Sequence, residues 1–180
     1  MVITNESARL ERLVRDLLDL ARLDAREFSL HHRPCDVGRV VATAVAGFEP
    51  SAEQLGITLE YTATQSLIEG DLDGDRLGQI VANLVENALR YARSTVSVAL
   101  SLEGERVAVT VADNGPGIPA EARAHVFERL YTGRPEAGRS FGTGLGLSIV
   151  SELARIMGGD ARVLTSDSNG TAFAVTVNRG

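Results

Sequence analysis

Two glycine-rich stretches, VADNGPGIP at residues 111–119 and GTGLGLSIV at residues 142–150, organise the rest of this chain. The first ends an alternating apolar run that is typical of a β-strand, and the second leads into an apolar run that is typical of a helix. Glycines at alternate positions let backbone N–H groups approach a bound anion without a Cβ in the way. A helix that begins there adds the positive end of its dipole. Either stretch alone is more often a plain turn, but together they predict a nucleotide site.

The composition of the chain excludes several functional classes. Its 180 residues are enough for one sizeable core, and its net charge of −6 comes without the dense basic stripe that binding to a nucleic-acid backbone needs. The single cysteine, Cys35, cannot form a disulfide within the chain, and no apolar run approaches the roughly 20 residues that span a bilayer. The first residues do not resemble a signal peptide. We therefore expect a cytosolic domain with no nucleic-acid partner and no membrane contact of its own.

The N-terminal residues predict an amphipathic helix. Over residues 5–26 a heptad spacing relates Leu10, Leu13, Leu17 and Leu20, and charged residues occupy the other faces. Such a helix needs a partner for its apolar stripe. We interpret it as one arm of a helical bundle whose other arm lies outside this sequence, with packing against its own domain as the alternative.

Hydrophobic periodicity along the remaining chain predicts an α+β fold. The pattern is that of a two-layer α/β sandwich, in which a mixed, mostly antiparallel sheet of about five strands is covered by three helices and preceded by the bundle helix. Residues 132–142 are rich in turn formers and predict a mobile loop. The predicted helices span residues 36–55, 73–91, 121–130 and 145–157, and Pro50 is expected to end or kink the first of them. The predicted strands span residues 57–62, 67–70, 96–102, 106–113, 161–165 and 171–177, with residues 30–36 as a crossing segment.

Polar side chains recur along one face of the helix predicted at residues 73–91. Asn83, Asn87 and Arg90 lie at positions i, i+4 and i+7, away from the face that carries the leucines and valines. A row of polar side chains of this kind indicates a polar ligand. A buried Asn that ties a helix to a loop is the alternative for each amide.

Four motifs occur together in one order: NLVENALRY at residues 83–91, DNGPGI at residues 113–118, FERLY at residues 127–131 and GTGLGLSIV at residues 142–150. Their order and spacing resemble the ATP-binding catalytic domain of sensor histidine kinases in two-component systems, part of a superfamily shared with gyrase and the heat-shock chaperone ATPases. The leading helix resembles the second helix of that family's dimerisation and phosphotransfer bundle. The resemblance implies a partial bundle helix at residues 1–30 and an ATP-binding catalytic domain at residues 31–180.

The resemblance also implies ATP and Mg²⁺ as cofactors and a role for the motif residues. Asn87 corresponds to the magnesium ligand, and Asn83 faces the same cluster of phosphates and metal. Arg90 stands where the family often has Lys, and Asp113 accepts a hydrogen bond from the adenine amine. The residues that the resemblance assigns to nucleotide binding are Asn83, Asn87, Arg90, Tyr91, Asp113, Gly115, Gly117, Ile118, Tyr131, Arg139, Gly142, Thr143, Gly144, Leu145, Gly146 and Leu147.

The loop between the last two motifs carries further implied roles. Arg139, and with it Arg134, reaches the triphosphate, unless these arginines are merely solvated. Phe127, Leu130 and Tyr131 are expected to anchor the loop mainly by packing.

The family transfers the γ-phosphate of ATP to a histidine that is followed by an acidic residue, and no histidine in this chain has that context. His31 and His32 are followed by Arg-Pro, and His125 precedes the FERLY motif. The resemblance therefore implies that this chain holds no catalytic residue and serves the phosphoacceptor histidine of a kinase dimer. A response-regulator aspartate then takes the phosphate. The complete protein would be a membrane-anchored sensor kinase, with this chain in its cytoplasmic portion.

Position 83 separates two branches of the superfamily. Gyrase-like and chaperone ATPases carry at this position a Glu that activates water, whereas this chain has Asn83. Without such a base we expect very slow hydrolysis of ATP by this chain. Two other functions stay open on the sequence alone: a nucleotide-binding regulatory module without phosphotransfer, and an anti-sigma-factor-type kinase that phosphorylates a serine on a partner.

Overall fold

The computed structural model describes residue 14 and residues 29–132 and 143–180. The predicted bundle helix at residues 5–26 thus lies outside the described residues except for one position, and so do Arg134, Arg139 and Gly142. Within the described ranges, no helix is both long enough and apolar enough to cross a membrane. The elements in chain order are β1 (Arg33–Asp36), α1 (Val37–Ala46), α2 (Glu49–Leu55), β2 (Thr58–Ala63), β3 (Glu69–Leu72), α3 (Gly74–Tyr91), β4 (Thr95–Glu103), β5 (Arg106–Asp113), α4 (Ala120–Arg123), α5 (Gly146–Ile156), β6 (Asp160–Asp167) and β7 (Gly170–Asn178).

Five of the strands form one sheet in the order β2–β4–β5–β7–β6. β2 pairs with β4 in parallel, and the other three pairings are antiparallel. β4 and β5 form the predicted hairpin, in which Glu103 pairs with Arg106 and Gly104 takes the left-handed conformation of the turn, with a φ of 62°. The prediction of a mixed, mostly antiparallel sheet of five strands is confirmed.

One face of this sheet forms the core together with helices α1, α3 and α5. Because paired residues point to the same face, Val98, Val111 and Phe173 line up across β4, β5 and β7, and all three are buried. Seven apolar side chains of α3 are buried in this core. α5 adds Ile149 and Leu153. The predicted two-layer sandwich with three covering helices is confirmed.

β1 and β3 form a second, two-stranded antiparallel sheet, in which Arg33 pairs with Leu72 and Asp36 pairs with Glu69. The sequence predicted only a crossing segment and a short strand for these residues, because four residues are too few to show a periodicity. Leu72 lies two residues before α3. The pairing therefore brings the chain that enters β1 next to the start of α3.

The helix predicted at residues 36–55 is broken in the structure into two helices, and the break falls before Pro50 rather than at it. After α1 the chain turns at Gly47 and Phe48, where the Phe48 N–H donates to the carbonyl oxygen of Val45 at 2.9 Å. Pro50 lies in the first turn of α2, where its missing N–H has no helical partner to lose. The proline therefore permits a second helix to begin.

The helical piece predicted at residues 121–130 is shorter than expected. α4 ends at Arg123, and the backbone hydrogen bonds beyond it join residues three apart: His125 donates to Ala122, and Glu128 donates to His125. Such bonds form turns, because an α-helix needs a separation of four residues.

Substitution of two glycines by alanine is expected to change the free energy of unfolding in opposite directions. A Cβ on Gly159 would overlap the carbonyl oxygen of Thr176, so Gly159→Ala is expected to lower the free energy of unfolding by about 3 kcal/mol. Gly78 lies in α3 with open space where its Cβ would be, so Gly78→Ala is expected to raise that free energy by about 0.5–1 kcal/mol. Urea unfolding followed by circular dichroism measures both. A Gly159→Ala chain as stable as the wild type would contradict the packing of β7 on the end of α5.

Candidate functional site

Helix α3 presents a polar face beside the apolar face that lies in the core. Asn83, Asn87, Arg90 and Tyr91 are all half-buried, so each is held by the fold while it stays accessible to solvent. Because an α-helix rises about 1.5 Å per residue, Asn83 and Tyr91 lie about 12 Å apart along the axis. α3 therefore joins two ends of one site, the Asn83 end and the Tyr91 end.

The Asn83 end lies against the first turn of α5. A Cβ on Gly146 would lie 3.9 Å from the amide oxygen of Asn83, so the backbone of α5 approaches this side chain closely. Among the described residues, no side chain caps the start of α5. Its first N–H groups are therefore available at the positive end of the helix dipole, an arrangement that suits an anion.

The amide nitrogen of Asn83, Nδ2, is buried and has no hydrogen-bond partner within residues 29–132 and 143–180. A buried donor without an acceptor costs about 1–3 kcal/mol, and native structures satisfy most such groups. A ligand oxygen near the start of α5 would relieve that cost. The unpartnered amide therefore suits this end of the site to a ligand that carries acceptor oxygens.

The residues before α5 are held by local hydrogen bonds. The Leu145 N–H donates to Oγ1 of Thr143 at 3.2 Å, and the carbonyl oxygen of Gly144 accepts the N–H of Leu130 at 2.9 Å. Gly144 is left-handed, with a φ of 72°, and a Cβ on it would lie 2.8 Å from the Leu130 backbone. Gly144 thus joins the two flanks of residues 133–142, and Leu147 follows half-buried in α5.

The predicted loop anchors differ from one another. Phe127 packs edge-on against Phe173, with ring centroids 5.9 Å apart, and Tyr131 is partly buried against the core. Leu130 is 67% exposed and left-handed, with a φ of 60°. The expectation that its side chain packs is therefore wrong, because Leu130 is fastened through its backbone bond to Gly144.

Asp113 ends β5 at the Tyr91 end of the site. Its Oδ1 accepts the N–H of Gly115 at 2.7 Å, and its carboxyl group also accepts the backbone N–H of Thr171. Burial raises the pKa of Asp113, and the two hydrogen bonds oppose that rise only in part. The carboxyl group is therefore fixed in orientation and partly stripped of water, so it is ready for a further hydrogen-bond donor.

Gly115 and Gly117 let the loop after β5 approach its neighbours. A Cβ on Gly115 would lie 2.6 Å from the carbonyl oxygen of Tyr91, and a Cβ on Gly117 would overlap that of Asp167. Gly117 is also left-handed, with a φ of 81°. Ile118 follows, partly buried against the core. The structure thus brings the predicted residues of the Tyr91 end together around one loop.

Two buried hydroxyl groups support this loop, and the sequence did not predict them. Oγ of Ser166 accepts the N–H of Ile118 at 2.7 Å and lies 3.0 Å from Oγ1 of Thr171. The backbone of Thr171 in turn holds Asp113. Their only signal in the sequence is a polar residue inside an alternating strand, which is equally typical of a surface position.

Glu86 is a further residue that the sequence did not single out. Its Oε1 lies 3.2 Å from Nη2 of Arg90, one turn later, with the side chains 30% and 25% exposed. Arg90 is thus held beside the site by a carboxylate on the same helix.

Asn114 lies between two candidate residues but has a structural role. Its Oδ1 accepts three successive backbone N–H groups, those of Arg93, Ser94 and Thr95, at 3.0–3.1 Å. Its Nδ2 donates to Oγ of Ser94 at 2.8 Å. Asn114 therefore ties the end of β5 to the connection between α3 and β4.

Known proteins with similar sequences share one family. Residues 72–180 match the family model described as "Histidine kinase-, DNA gyrase B-, and HSP90-like ATPase". The chain is 36% identical over 177 residues to the sensor protein RstB of Escherichia coli (strain K12) and 30% identical over 182 residues to the sensor histidine kinase WalK of Bacillus subtilis (strain 168). These matches cover 96% and 98% of this chain but 40% and 30% of the relatives. The chain thus spans less than half the length of either relative.

Solved structures resemble the whole fold. The structure of full-length ShkA in complex with AMPPNP has a TM-score of 0.83 and 33% sequence identity, covering 96% of this chain and 36% of that chain. The structure of the histidine kinase ThkA in complex with the response regulator protein TrrA has a TM-score of 0.78, covering 99% of this chain and 50% of that chain. Its identity is 22%, so this likeness shows the fold alone.

The tie through Asn114 predicts a graded loss of stability. Asn114→Ala leaves three N–H groups without their acceptor and is expected to lower the free energy of unfolding by about 1–2 kcal/mol. Asn114→Asp keeps the acceptor oxygen and is expected to cost less. Thermal unfolding measures both, with the exposed Asn169→Ala as the matched control. Equal stability of Asn114→Ala and Asn169→Ala would show that the tie contributes nothing.

Proposed function

We propose that this chain, which belongs to the family of histidine kinase-, DNA gyrase B- and HSP90-like ATPases, is the ATP-binding catalytic part of a two-component sensor histidine kinase. The observation that carries the proposal is the position of α3 between two prepared ends: the fixed carboxyl group of Asp113 and the unpartnered amide of Asn83 beside the start of α5. The Asp113 end suits the nucleobase of a nucleotide, and the Asn83 end suits its phosphates. The names of the relatives, among them the sensor histidine kinase WalK, support the same function.

The adenine base is proposed to lie at the Tyr91 end. An ionised carboxylate only accepts hydrogen bonds, so Asp113 would accept one from the exocyclic amine of adenine. A guanine carries an oxygen at that position and would be refused. Gly115 and Gly117 would give the base its space, with Tyr91 and Ile118 as the walls of its slot.

The phosphates are proposed to lie at the Asn83 end. Gly144, Gly146 and Leu147 would offer backbone N–H groups at or just before the start of α5, and Thr143 and Leu145 would shape the turn that precedes it. The Asn83 amide would donate to a phosphate oxygen and gain the acceptor that it lacks among the described residues. Arg90 would supply positive charge from α3, and Tyr131, Arg139 and Gly142 stay predictions for this end.

Mg²⁺ is proposed to bind through the amide oxygen of Asn87. The ion prefers oxygen ligands and keeps several of its waters, so one protein ligand together with phosphate oxygens suffices. Within the part of the chain that the structure describes, no group of three or more His, Cys, Asp or Glu residues could hold a metal by itself. The donor set therefore fits an ion that arrives with the nucleotide.

The reaction is proposed to be transfer of the γ-phosphate of ATP to a histidine outside this chain. The phosphorus–oxygen bond to the β-phosphate breaks, ADP leaves, and a new phosphorus–nitrogen bond forms to the imidazole. This chain's residues would position the phosphate and balance its charge. Asn83 cannot act as a base toward water, and Glu86 is held by Arg90, so hydrolysis is expected to be very slow.

The remaining parts of the complete protein are proposals as well. Residues 1–30 would be a partial bundle helix and residues 31–180 the ATP-binding domain, in the cytoplasmic portion of a membrane-anchored kinase. The phosphoacceptor histidine would lie in the bundle of the kinase dimer. A response-regulator aspartate would receive the phosphate.

Calorimetric titration with ATP, in the presence and absence of Mg²⁺, tests the site. Asp113→Asn replaces an acceptor by a donor opposite the adenine amine and is expected to weaken binding about tenfold or more. Asn87→Ala is expected to lower the affinity mainly when Mg²⁺ is present. Asn169→Ala is the control and is expected to bind as the wild type does. Failure of the folded wild-type chain to bind ATP would overturn the proposal.

Phosphotransfer needs a second measurement with an isolated bundle that carries an acceptor histidine. Formation of acid-labile phosphohistidine on that bundle supports the kinase function. Binding of ATP without any transfer would favour a nucleotide-binding regulatory module, and transfer to a serine of a partner would favour a serine kinase.

The raised pKa of Asp113 predicts a dependence on pH. As the pH is lowered from neutral towards the ordinary pKa of Asp, the raised pKa of Asp113 causes its carboxylate to be protonated early and to lose acceptor strength, so ATP affinity is expected to fall over this range. The stability of the chain without ATP is expected to change in the opposite direction and to rise as the pH falls. The reason is that burial of the charged carboxylate costs free energy of folding, which protonation restores. ATP affinity is measured over this range for the wild type and for Asp113→Asn. Protonation of ATP itself affects both chains equally, so the difference between the two curves reports on Asp113. Parallel curves for the two chains would contradict the assignment.

A further inference from the structure

Asp73 connects the chain that enters the domain with the start of α3. It is 4% exposed, and its two carboxyl oxygens have different partners: Oδ1 accepts the N–H of Arg76 at 3.1 Å, and Oδ2 accepts the N–H of His31 at 2.9 Å. The first bond caps α3, whereas the second spans 42 residues of sequence. Capping needs only one oxygen, as Asp36 shows at the exposed start of α1. The second oxygen is therefore used for a connection that is not part of the helix cap.

The contacts that follow His31 continue the same attachment. Nδ1 of His32 lies 3.0 Å from the carbonyl oxygen of Asp71, and β1 pairs with β3 from Arg33 onwards. Leu30, just before His31, is partly buried against the core. The incoming chain, residues 30–36, is therefore fastened along β3, with Asp73 at the end nearest to the preceding residues.

We infer that Asp73 is a positioning residue, which fixes the direction in which the preceding chain enters the ATP-binding domain. Asp73 begins the same helix that carries Asn83, Asn87 and Arg90, so the attachment relates the incoming chain directly to the proposed phosphate end. Under the proposed function, this relation sets where the γ-phosphate lies relative to the acceptor histidine of the bundle. The consequence for phosphotransfer rests on the proposed function, whereas the attachment itself does not.

The two bonds of Asp73 can be separated by substitution. Asp73→Asn keeps an oxygen and remains a good N-cap, but its NH₂ group faces one of the two N–H donors. His31→Pro removes only the N–H that reaches Asp73 and leaves the cap intact. The matched controls are Asp36→Asn, which changes a cap without a long-range partner of this kind, and His31→Ala, which keeps the backbone N–H.

Hydrogen exchange of residues 29–36 measures the attachment in this chain. Asp73→Asn and His31→Pro are expected to speed exchange there about tenfold or more, as the loss of a hydrogen bond to a charged group implies. The two controls are expected to exchange as the wild type does. ATP affinity, measured by calorimetry, is expected to change less than about twofold in all four variants. Phosphotransfer within a longer chain that carries the acceptor bundle is expected to slow only in Asp73→Asn and His31→Pro.

Each outcome decides one part of the inference. Unchanged exchange in both Asp73→Asn and His31→Pro overturns the attachment. Faster exchange with unchanged transfer in the longer chain overturns the positioning role. If the proposed function is wrong, the wild-type chain will not bind ATP. The hydrogen exchange of residues 29–36 tests the attachment in either case.

Discussion

The burial of one face of helix α3 in the core of the sandwich is the interaction on which the rest of the structure depends. Seven of its side chains are buried, and full burial of one large apolar side chain contributes about 1.5–3 kcal/mol. The unpartnered amide of Asn83 costs about 1–3 kcal/mol, which the burial of the neighbouring Leu84 is large enough to offset. The helix can therefore hold an unsatisfied polar group at the site without loss of the fold. A ligand that accepts a hydrogen bond from this group removes the cost and gains that free energy on binding.

The sheet organises the other end of the site through its register. The pairing of β5 with β7 places Asp113 opposite Thr171, and the pairing of β7 with β6 places Thr171 opposite Ser166. Asp113 thereby joins Ser166 and Thr171, which lie far from it in sequence but close to each other, in one hydrogen-bonded group, to which Ile118 adds its N–H. The loop after β5 is thereby held before any ligand binds, which lowers the cost of ordering it on binding.

Local patterns in the sequence were sufficient to predict several elements that build the site. The alternation of VSVALSL and RVAVTVAD predicts the β4–β5 hairpin, and the period of residues 73–91 predicts α3 with its buried and polar faces. The glycines at positions 115, 117 and 144 were also identifiable. The structure alone shows why each position needs a glycine: a Cβ at positions 115, 117 and 144 would meet the backbone of Tyr91, Asp167 and Leu130, respectively.

The sequence by itself determined the sandwich, helices α3 and α5 and the motif residues, because hydrophobic period and glycine spacing are local properties of the chain. Tertiary structure alone decided the pairing of β1 with β3, the bond of Asp73 to His31, the three bonds that Oδ1 of Asn114 accepts and the bond of Ser166 to Ile118. Each of these depends on groups that lie 19 to 48 residues apart or on strands too short to show a period. Such contacts arise when the core closes around α3, and no local pattern encodes them.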